Sequence, residues 1–317
     1  MDEKRAKRSQ LGDRIYRALL FVAGISVLVI IIGLGIELAV GSRESISKFG
    51  FSFLTTDTWN PGALIFGALP FIEGTLYSSL WALVIAVPIS LLAAIFLAEL
   101  APDWIGRPLS FLIELLAAIP SVVYGLWGLF VLQPWLVKYV EAPISHNRFF
   151  SKLPIFGDTP NGYDMFSASV ILSIMVIPYI TAVSRDIMRA IPRSVREGSY
   201  ALGATQWETI KGVVLPYARA GFIGAIMLGF GRALGETMAV TMVIGNSPQF
   251  KASLFSSGYT MASVIANELA EASGLYRSAL IEIGLVLFIV TMIVNMIART
   301  LVYYTAQDMH GGSRKKE

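Results

Sequence analysis

Residues 197–216 read EGSYALGATQWETIKGVVLP. This polar stretch lies between two long apolar runs and follows four arginines, Arg185, Arg189, Arg193 and Arg196. It reads as a short helix. Glu197 falls in a first turn, where a carboxylate suits the positive end of the helix dipole. Ala201, Ala204 and Trp207 are three apart and give the helix an apolar side. Gly203 lacks a side chain, so the backbone can bend or be approached closely there. Pro216 marks where the following apolar helix starts, since proline is tolerated in a first turn.

Working outward, the chain around this stretch is that of a membrane protein. Of 317 residues, 55% are apolar and only 15% are charged, and the mean hydropathy is +0.65. A soluble domain carries about 25% charged residues. No cysteine occurs, which excludes a disulfide, a thiolate metal site and a cysteine nucleophile. Six apolar runs, at 15–40, 74–97, 109–137, 166–187, 217–245 and 279–303, come near or pass the roughly 20 residues that cross a bilayer core. The first is too long for a signal-peptide core of about 7–15 residues, so no cleavable leader is expected. We divide the chain into a basic N-terminus (1–14), an additional N-terminal span (15–40), an outer segment lying partly at the interface (41–72), a membrane domain (73–304) with its loop at 190–216, and a tail (305–317). Trp59 in the outer segment suits the membrane interface.

Lysine and arginine orient the spans. With the N-terminus inside, the inner segments hold Lys4, Arg5, Lys7, Arg8, Arg14, Arg17, Arg107, Arg185, Arg189, Arg193, Arg196, Lys211, Arg219, Arg299, Arg314, Lys315 and Lys316. The outer loops hold Arg43, Lys48, Lys138, Arg148, Lys152, Lys251 and Arg277. That is 17 against 7, which places both termini and the 197–216 stretch in the cytoplasm. The outer loops at 41–72 and 138–164 read as docking surfaces for a soluble partner or as solvated connections. Pro88, Pro120 and Pro178 each remove one helical hydrogen bond and favour a kink in their spans.

One cation stands inside a span. In GFGRALGETMAVTMVIGN (229–246), Arg232 lies about 22 Å from Tyr217 at 1.5 Å per residue. A mid-bilayer arginine costs about 2.5–3.5 kcal/mol on the lenient insertion scale, so it must face protein or water. Glu236 is four residues on, shares its face and can pair with it. The functional reading is an anion site in a translocation path, because the guanidinium fork fits phosphate oxygens two at a time. The other reading is a buried ion pair that only locks packing. Gly231 and Gly235 form a small-xxx-small pair, with Gly224 and Gly229 nearby, and admit a second helix closely. No Gly-Lys-Ser/Thr occurs, so the chain has no recognisable nucleotide loop. Glu37 and Glu99 read as solvated span ends. Glu114 and Glu282 lie deeper and read as structural. His146 and His310 stand apart from any carboxylate pair, so neither a metal site nor a catalytic constellation is expected.

The 197–216 stretch resembles the EAA loop of ABC-importer permease subunits. The family pattern is Glu-Ala-Ala, a glycine six residues after the glutamate, an aliphatic residue, a spacer and Leu-Pro. Glu197, Gly203, Val213, Leu215 and Pro216 fit in register, while Gly198 and Ser199 replace the two alanines. The phrases LIELLAAIPSVVYGLWG (112–128), ALGATQWETI (201–210) and GRALGETMAVTMVIGN (231–246), with WNP and FGALPF before the second span, resemble the permeases of bacterial phosphate importers. That resemblance implies an all-α integral membrane fold of the type I importer, MetI-like, class. It would have a core of five helices plus one N-terminal helix, with both termini inside. It implies a coupling helix carrying Glu197, Ala201, Gly203, Ala204, Trp207, Leu215 and Pro216, and a phosphate path through Arg232 and Glu236. It further implies a PstA-like second permease, two PstB-like ATPases that bind ATP and Mg, and a PstS-like phosphate-binding protein, with no cofactor on this chain. A permease for another oxyanion, an ion-coupled transporter and an intramembrane enzyme are the other classes. The last wants a cluster of His, Asp or Glu at one membrane face, and the chain offers none.

Overall fold

A computed structural model describes residues 3–147, 149 and 152–311, with side chains described between 16 and 305. Arg148, Arg314, Lys315 and Lys316, and the side chains of Lys4, Arg5, Lys7, Arg8, Arg14 and His310, lie outside the described residues. In chain order the helices are α1 (Glu3–Gly41), α2 (Arg43–Phe49), α3 (Leu69–Ile95), α4 (Asp103–Ala118), α5 (Ser121–Trp127), α6 (Gln133–Leu136), α7 (Ala142–His146), α8 (Met165–Arg189), α9 (Arg193–Ala201), α10 (Gln206–Thr209), α11 (Leu215–Leu234), α12 (Met238–Val243), α13 (Met261–Glu268) and α14 (Gly274–Gly311). Among the described residues, extended pairing is confined to two isolated bridges, Asn60 with Ile65 and Gly245 with Gly258.

Among the described residues, five stretches are long and apolar enough to cross a bilayer, Tyr16–Gly41, Leu69–Leu100, Met165–Arg189, Gln206–Leu234 and Gly274–Thr305. A sixth is broken. The run expected at 109–137 bends by 92° between α4 and the helix that starts with α5. The cause is local. Pro120 disfavours helical backbone in the residue before it, and Ile119 is extended, with ψ 131°. Pro88 and Pro178, by contrast, lie inside α3 and α8, which continue through them. The run expected at 217–245 is also divided, because α11 stops at Leu234 and α12 starts at Met238.

Among the described residues, four turns widen to π geometry, at Phe96–Leu100, Gly128–Leu132, Val137–Glu141 and Ile210–Val214. Each ends two residues before a proline: Pro102, Pro134, Pro143 and Pro216. In each, the residue before the proline bonds back five residues instead of four, as Leu215 N–H does to the Ile210 carbonyl. Proline has no N–H, and its ring crowds the carbonyl four residues back. A wider turn relieves that crowding. Pro216 therefore does not begin the following span. The helical run begins at Gln206 and passes through Pro216.

The bundle is built on α8, whose span is the most buried, at 61%. Small residues of α3 and α11, among them Ala82, Ala86 and Ala225, join Ile171, Leu172, Val176 and Ile180 of α8 in one core. A Cβ on Gly229 would fall 2.7 Å from Val176, and one on Gly221 would fall 2.7 Å from Ile187. These two glycines bring α11 against α8. The expected pair Gly231 and Gly235 does not, since a Cβ on Gly231 would meet nothing within 4 Å. Small-residue spacing allows close approach without saying which face is used.

Residues 41–72 form a packed cap on the bundle. Phe53, Trp59, Phe66 and Phe71 pack with Tyr259 and leucine and isoleucine of α14. Trp59 is only 8% exposed and donates its indole N–H to Glu268 at 2.9 Å. The polar handle that suits tryptophan to interfaces is here satisfied inside the protein. The outer loop expected from residue 138 is helical as far as His146. Helix α1 has no buried residue along its span and meets α14 where Gly35 and Gly41 approach Phe288 and Ile281.

Candidate functional site

Arg232 sits on the last turn of α11. Its guanidinium carbon lies 4.2 Å from the ring centroid of Tyr179, over the ring face. Its Nε is buried and has no hydrogen-bond partner among the described residues. The expected pairing with Glu236 is not formed, since no ion pair joins the two among the described residues. The i,i+4 argument assumed a helix that continues. The helix ends at Leu234 instead, and Glu236 turns to the start of α12, where its carboxylate accepts the Ala239 N–H at 3.4 Å. A carboxylate at a helix N-terminus meets unpaired amides and the positive dipole end. The cation is thus held by an aromatic face and, among the described residues, left without a counter-ion, with N–H groups able to meet an anion.

Tyr179 lies near the middle of α8, about 21 Å from its start at 1.5 Å per residue. Its hydroxyl donates to the Ala117 carbonyl at 2.7 Å. Tyr124 on α5 donates likewise to the Leu116 carbonyl at 2.9 Å. Both carbonyls belong to the last turn of α4, just before the 92° bend. A helix end leaves carbonyls without helical partners, and inside a bilayer no water replaces them. Tyr179 does so for Ala117, and Tyr124 adds to the Ile119 N–H that Leu116 already accepts at 3.4 Å. An aromatic residue in an apolar run carries no signal of such a duty, and sequence reasoning missed both.

At the α9 end of the bundle, the stretch read as a single helix is a helix–turn–helix. Pro192 precedes α9, which starts at Arg193, so Glu197 falls in the second turn. Gly203 turns the chain with φ +85°. Thr205 then opens α10 with a capping box. Glu208 N–H donates to the Thr205 hydroxyl at 3.3 Å, and Thr205 N–H donates to the Glu208 carboxylate at 2.8 Å. The Thr-x-x-Glu spacing is the signal that could have shown this second helix start, and the sequence reading passed over it. Ala201, Ala204 and Trp207 therefore sit on α9, the turn and α10, and do not share one face. Leu202, 91% exposed, and Trp207, 61% exposed, stand out from the tip. Glu197 and Pro216 are exposed, while Ala204 and Leu215 are half-buried.

The arginines before this element tie it to the bundle. Arg196 holds Glu99, at the end of α3, through Nε at 3.3 Å and a terminal nitrogen at 2.7 Å, and also donates to the Met188 and Ile191 carbonyls at 2.7 Å. Glu99 is not the solvated span end its position suggested. Arg185 pairs with Glu114 of α4 at 3.0 Å. Arg189 donates to the Leu97 carbonyl at 3.0 Å. Glu37 is exposed, and Glu282 is buried with an oxygen that lacks a partner among the described residues. At the opposite end a cavity of ≈ 800 Å³ opens between residues 57–60 and 248–252, with Asp57, Glu73 and Lys251 in its wall.

Spans wrapped on one buried helix, with a polar hairpin of helices hung outside between two of them, are the build of a membrane subunit of a transporter. The chain belongs to the binding-protein-dependent transport system inner membrane component family, matched over residues 86–311, and within it to the PstC permease proteins. It is 50% identical over 270 residues to the phosphate transport system permease protein PstC of Pasteurella multocida, covering 84% of each chain. It is 47% identical over 280 residues to PstC of Haemophilus influenzae, covering 87% of this chain and 88% of that one. It is 38% identical over 312 residues to PstC 2 of Mycobacterium tuberculosis, covering 95% and 94%. Its fold is similar to a solved bacterial ABC transporter involved in the import of alginate, with a TM-score of 0.59 and 16% identity over 93% of this chain and 99% of that one. It is also similar to an inward-facing MetNI methionine ABC transporter, with a TM-score of 0.50 and 16% identity over 75% and 94%. It is a multi-pass protein of the bacterial inner membrane.

Proposed function

We infer that this chain is one membrane-spanning subunit of an ATP-driven importer of inorganic phosphate, and that Arg232 meets the anion in transit. The observation that carries the reading is the state of Arg232. It is a half-buried cation within a span, with one face covered by Tyr179 and, among the described residues, a buried Nε without an acceptor and no carboxylate paired to it. An unpaired buried donor is unfavourable by about 1–3 kcal/mol, and more on a charged group. A phosphate oxygen relieves that deficit on arrival. Arginine suits the task because its planar fork bonds two oxygens at once and stays protonated. Glu236 stands close in sequence and repels an anion that lingers, which favours release.

The chain carries no recognisable nucleotide loop, so the work comes from elsewhere. The partners in this reading are a PstA-like second permease, two PstB-like ATPases holding ATP and Mg, and a PstS-like phosphate-binding protein. The excess of basic residues on the α9 side supports a cytoplasmic position for α9 and α10. Leu202 and Trp207 at their tip offer apolar knobs to an ATPase groove. Closure of the ATPases pulls on α9. The Arg196–Glu99 and Arg185–Glu114 ties pass that pull to α3, α8 and α4 together. The bend at Pro120 and the break after Leu234 are the places where an outward opening exchanges for an inward one.

The test is Arg232→Gln in the whole importer, reconstituted in proteoliposomes with loaded binding protein and ATP. Uptake is expected to fall at least about a hundredfold, the loss typical of an oriented anion-stabilising donor. The variant complex is expected to purify with the same subunits. Uptake near the wild-type rate sinks the assignment.

A further inference from the structure

We propose that Tyr179 is a positioning residue for transport, the platform that sets the direction in which Arg232 presents its donors. The proposal rests on the reading of Arg232 as the phosphate contact. Three observations converge on Tyr179. Its ring covers one face of the guanidinium at 4.2 Å. Its hydroxyl is committed to the Ala117 carbonyl at 2.7 Å. That carbonyl sits in the last turn of α4, immediately before the chain bends by 92°.

Each contact constrains the next. Ala117 lacks a helical donor because α4 ends one residue later, and in a bilayer that carbonyl needs a protein partner. Supplying it pins the hydroxyl end and so the line of the ring's long axis, and the in-plane preference of a phenol O–H favours one rotation of the ring about that line. A fixed ring fixes the plane of the guanidinium stacked upon it, since the attraction is strongest over the ring face and grows as water is excluded. One face of the cation is then closed and its N–H edges are left to meet oxygens. Tyr124, bonded to the neighbouring Leu116 carbonyl, steadies the same turn from the other side of the bend. The arginine is therefore referenced to the broken span, and its donors turn when the bend moves. A leucine or isoleucine at 179 would fill the space but fix neither the carbonyl nor the cation.

The experiment compares Tyr179→Phe, Tyr179→Leu and Arg232→Gln in the complete reconstituted importer. It measures phosphate carried per ATP hydrolysed with loaded binding protein. A defect of assembly lowers the amount of active complex and leaves that ratio where it was. Loss of positioning lowers the ratio itself. The phenylalanine variant keeps the platform and loses the tether, and a fall of about threefold is expected. The leucine variant loses both, and a fall of about tenfold is expected. A wild-type ratio in either variant overturns the proposal. If the leucine variant does not assemble, the phenylalanine variant decides by the same criterion. A wild-type ratio in Arg232→Gln instead overturns the phosphate contact itself, so the two failures are told apart.

Discussion

At Gly203 the backbone holds φ +85° between α9 and α10. An L side chain in that region raises the energy by about 1–2 kcal/mol. A Cβ there would meet no atom of this chain within 4 Å, so the objection to a larger residue is conformational, not steric, until a partner arrives. We expect Gly203→Ala to purify with the ATPase and to lose less than about threefold in uptake. Gly203→Trp is expected to leave the permease in the membrane but to release the ATPase on affinity purification. Full retention of the ATPase by the tryptophan variant would show that the turn does not face it. The glycine was legible because its place in a motif is local. Arg232 was legible for a different reason, since a charge in an apolar run is anomalous by type alone. Its surroundings were not. The pairing with Glu236 failed because the helix stops at Leu234, and Gly235, a helix stop signal, was read only as a packing residue. Arg196 and Glu99 lie far apart in the chain, and only the fold brings them together.

Helices were legible as lengths and not as interruptions. Pro88, Pro120 and Pro178 look alike in sequence, yet α3 and α8 continue through theirs while the chain bends by 92° at Pro120, where tyrosines from α5 and α8 donate to carbonyls of the last turn of α4. The π turns before Pro102, Pro134, Pro143 and Pro216 were also unseen, because period-based reading counts residues and not the width of a turn. The junction of α7 and α8 shows what such reading leaves out. Asp164 caps α8 by accepting the Ser167 N–H at 2.9 Å, and it is fully buried beside the Glu141 carboxyl. Burial pushes the Asp164 carboxyl above its ordinary value. A raised acid favours the fold fully below its unfolded value of about 4 and loses that contribution as pH rises through the folded value. Asparagine keeps the cap and cannot titrate. Thermal melts of the purified complex are therefore expected to show wild type losing more stability than Asp164→Asn between about pH 4 and pH 7. A difference between the two that does not change with pH would show that Asp164 is ordinarily ionised.

For the whole molecule, the class of fold followed from composition and span count, because lipid imposes both, while the division of labour with other chains did not. Arg232 lies at the edge of what this chain can enclose. A Cβ on the preceding Gly231 would meet nothing within 4 Å, and Gly235, at the C-terminal end of the same helix, is exposed. Leu126, Trp127 and Phe130, after the bend, are exposed as well. One chain thus supplies a single wall with the cation set into it. In the proposed reading of Arg232 as the phosphate contact, a second permease supplies the other wall that shields the anion from lipid tails. An ion-coupled transporter, by contrast, would close its passage within one chain. The purified chain alone, in proteoliposomes given a phosphate gradient and an imposed proton or sodium gradient, is expected to show uptake no higher than protein-free vesicles. The same preparation joined by a second permease, the ATPases, loaded binding protein and ATP is expected to accumulate phosphate. Uptake by the lone chain driven by either ion gradient would make it a transporter in its own right. The exposed helices 9 and 10 would then need another purpose.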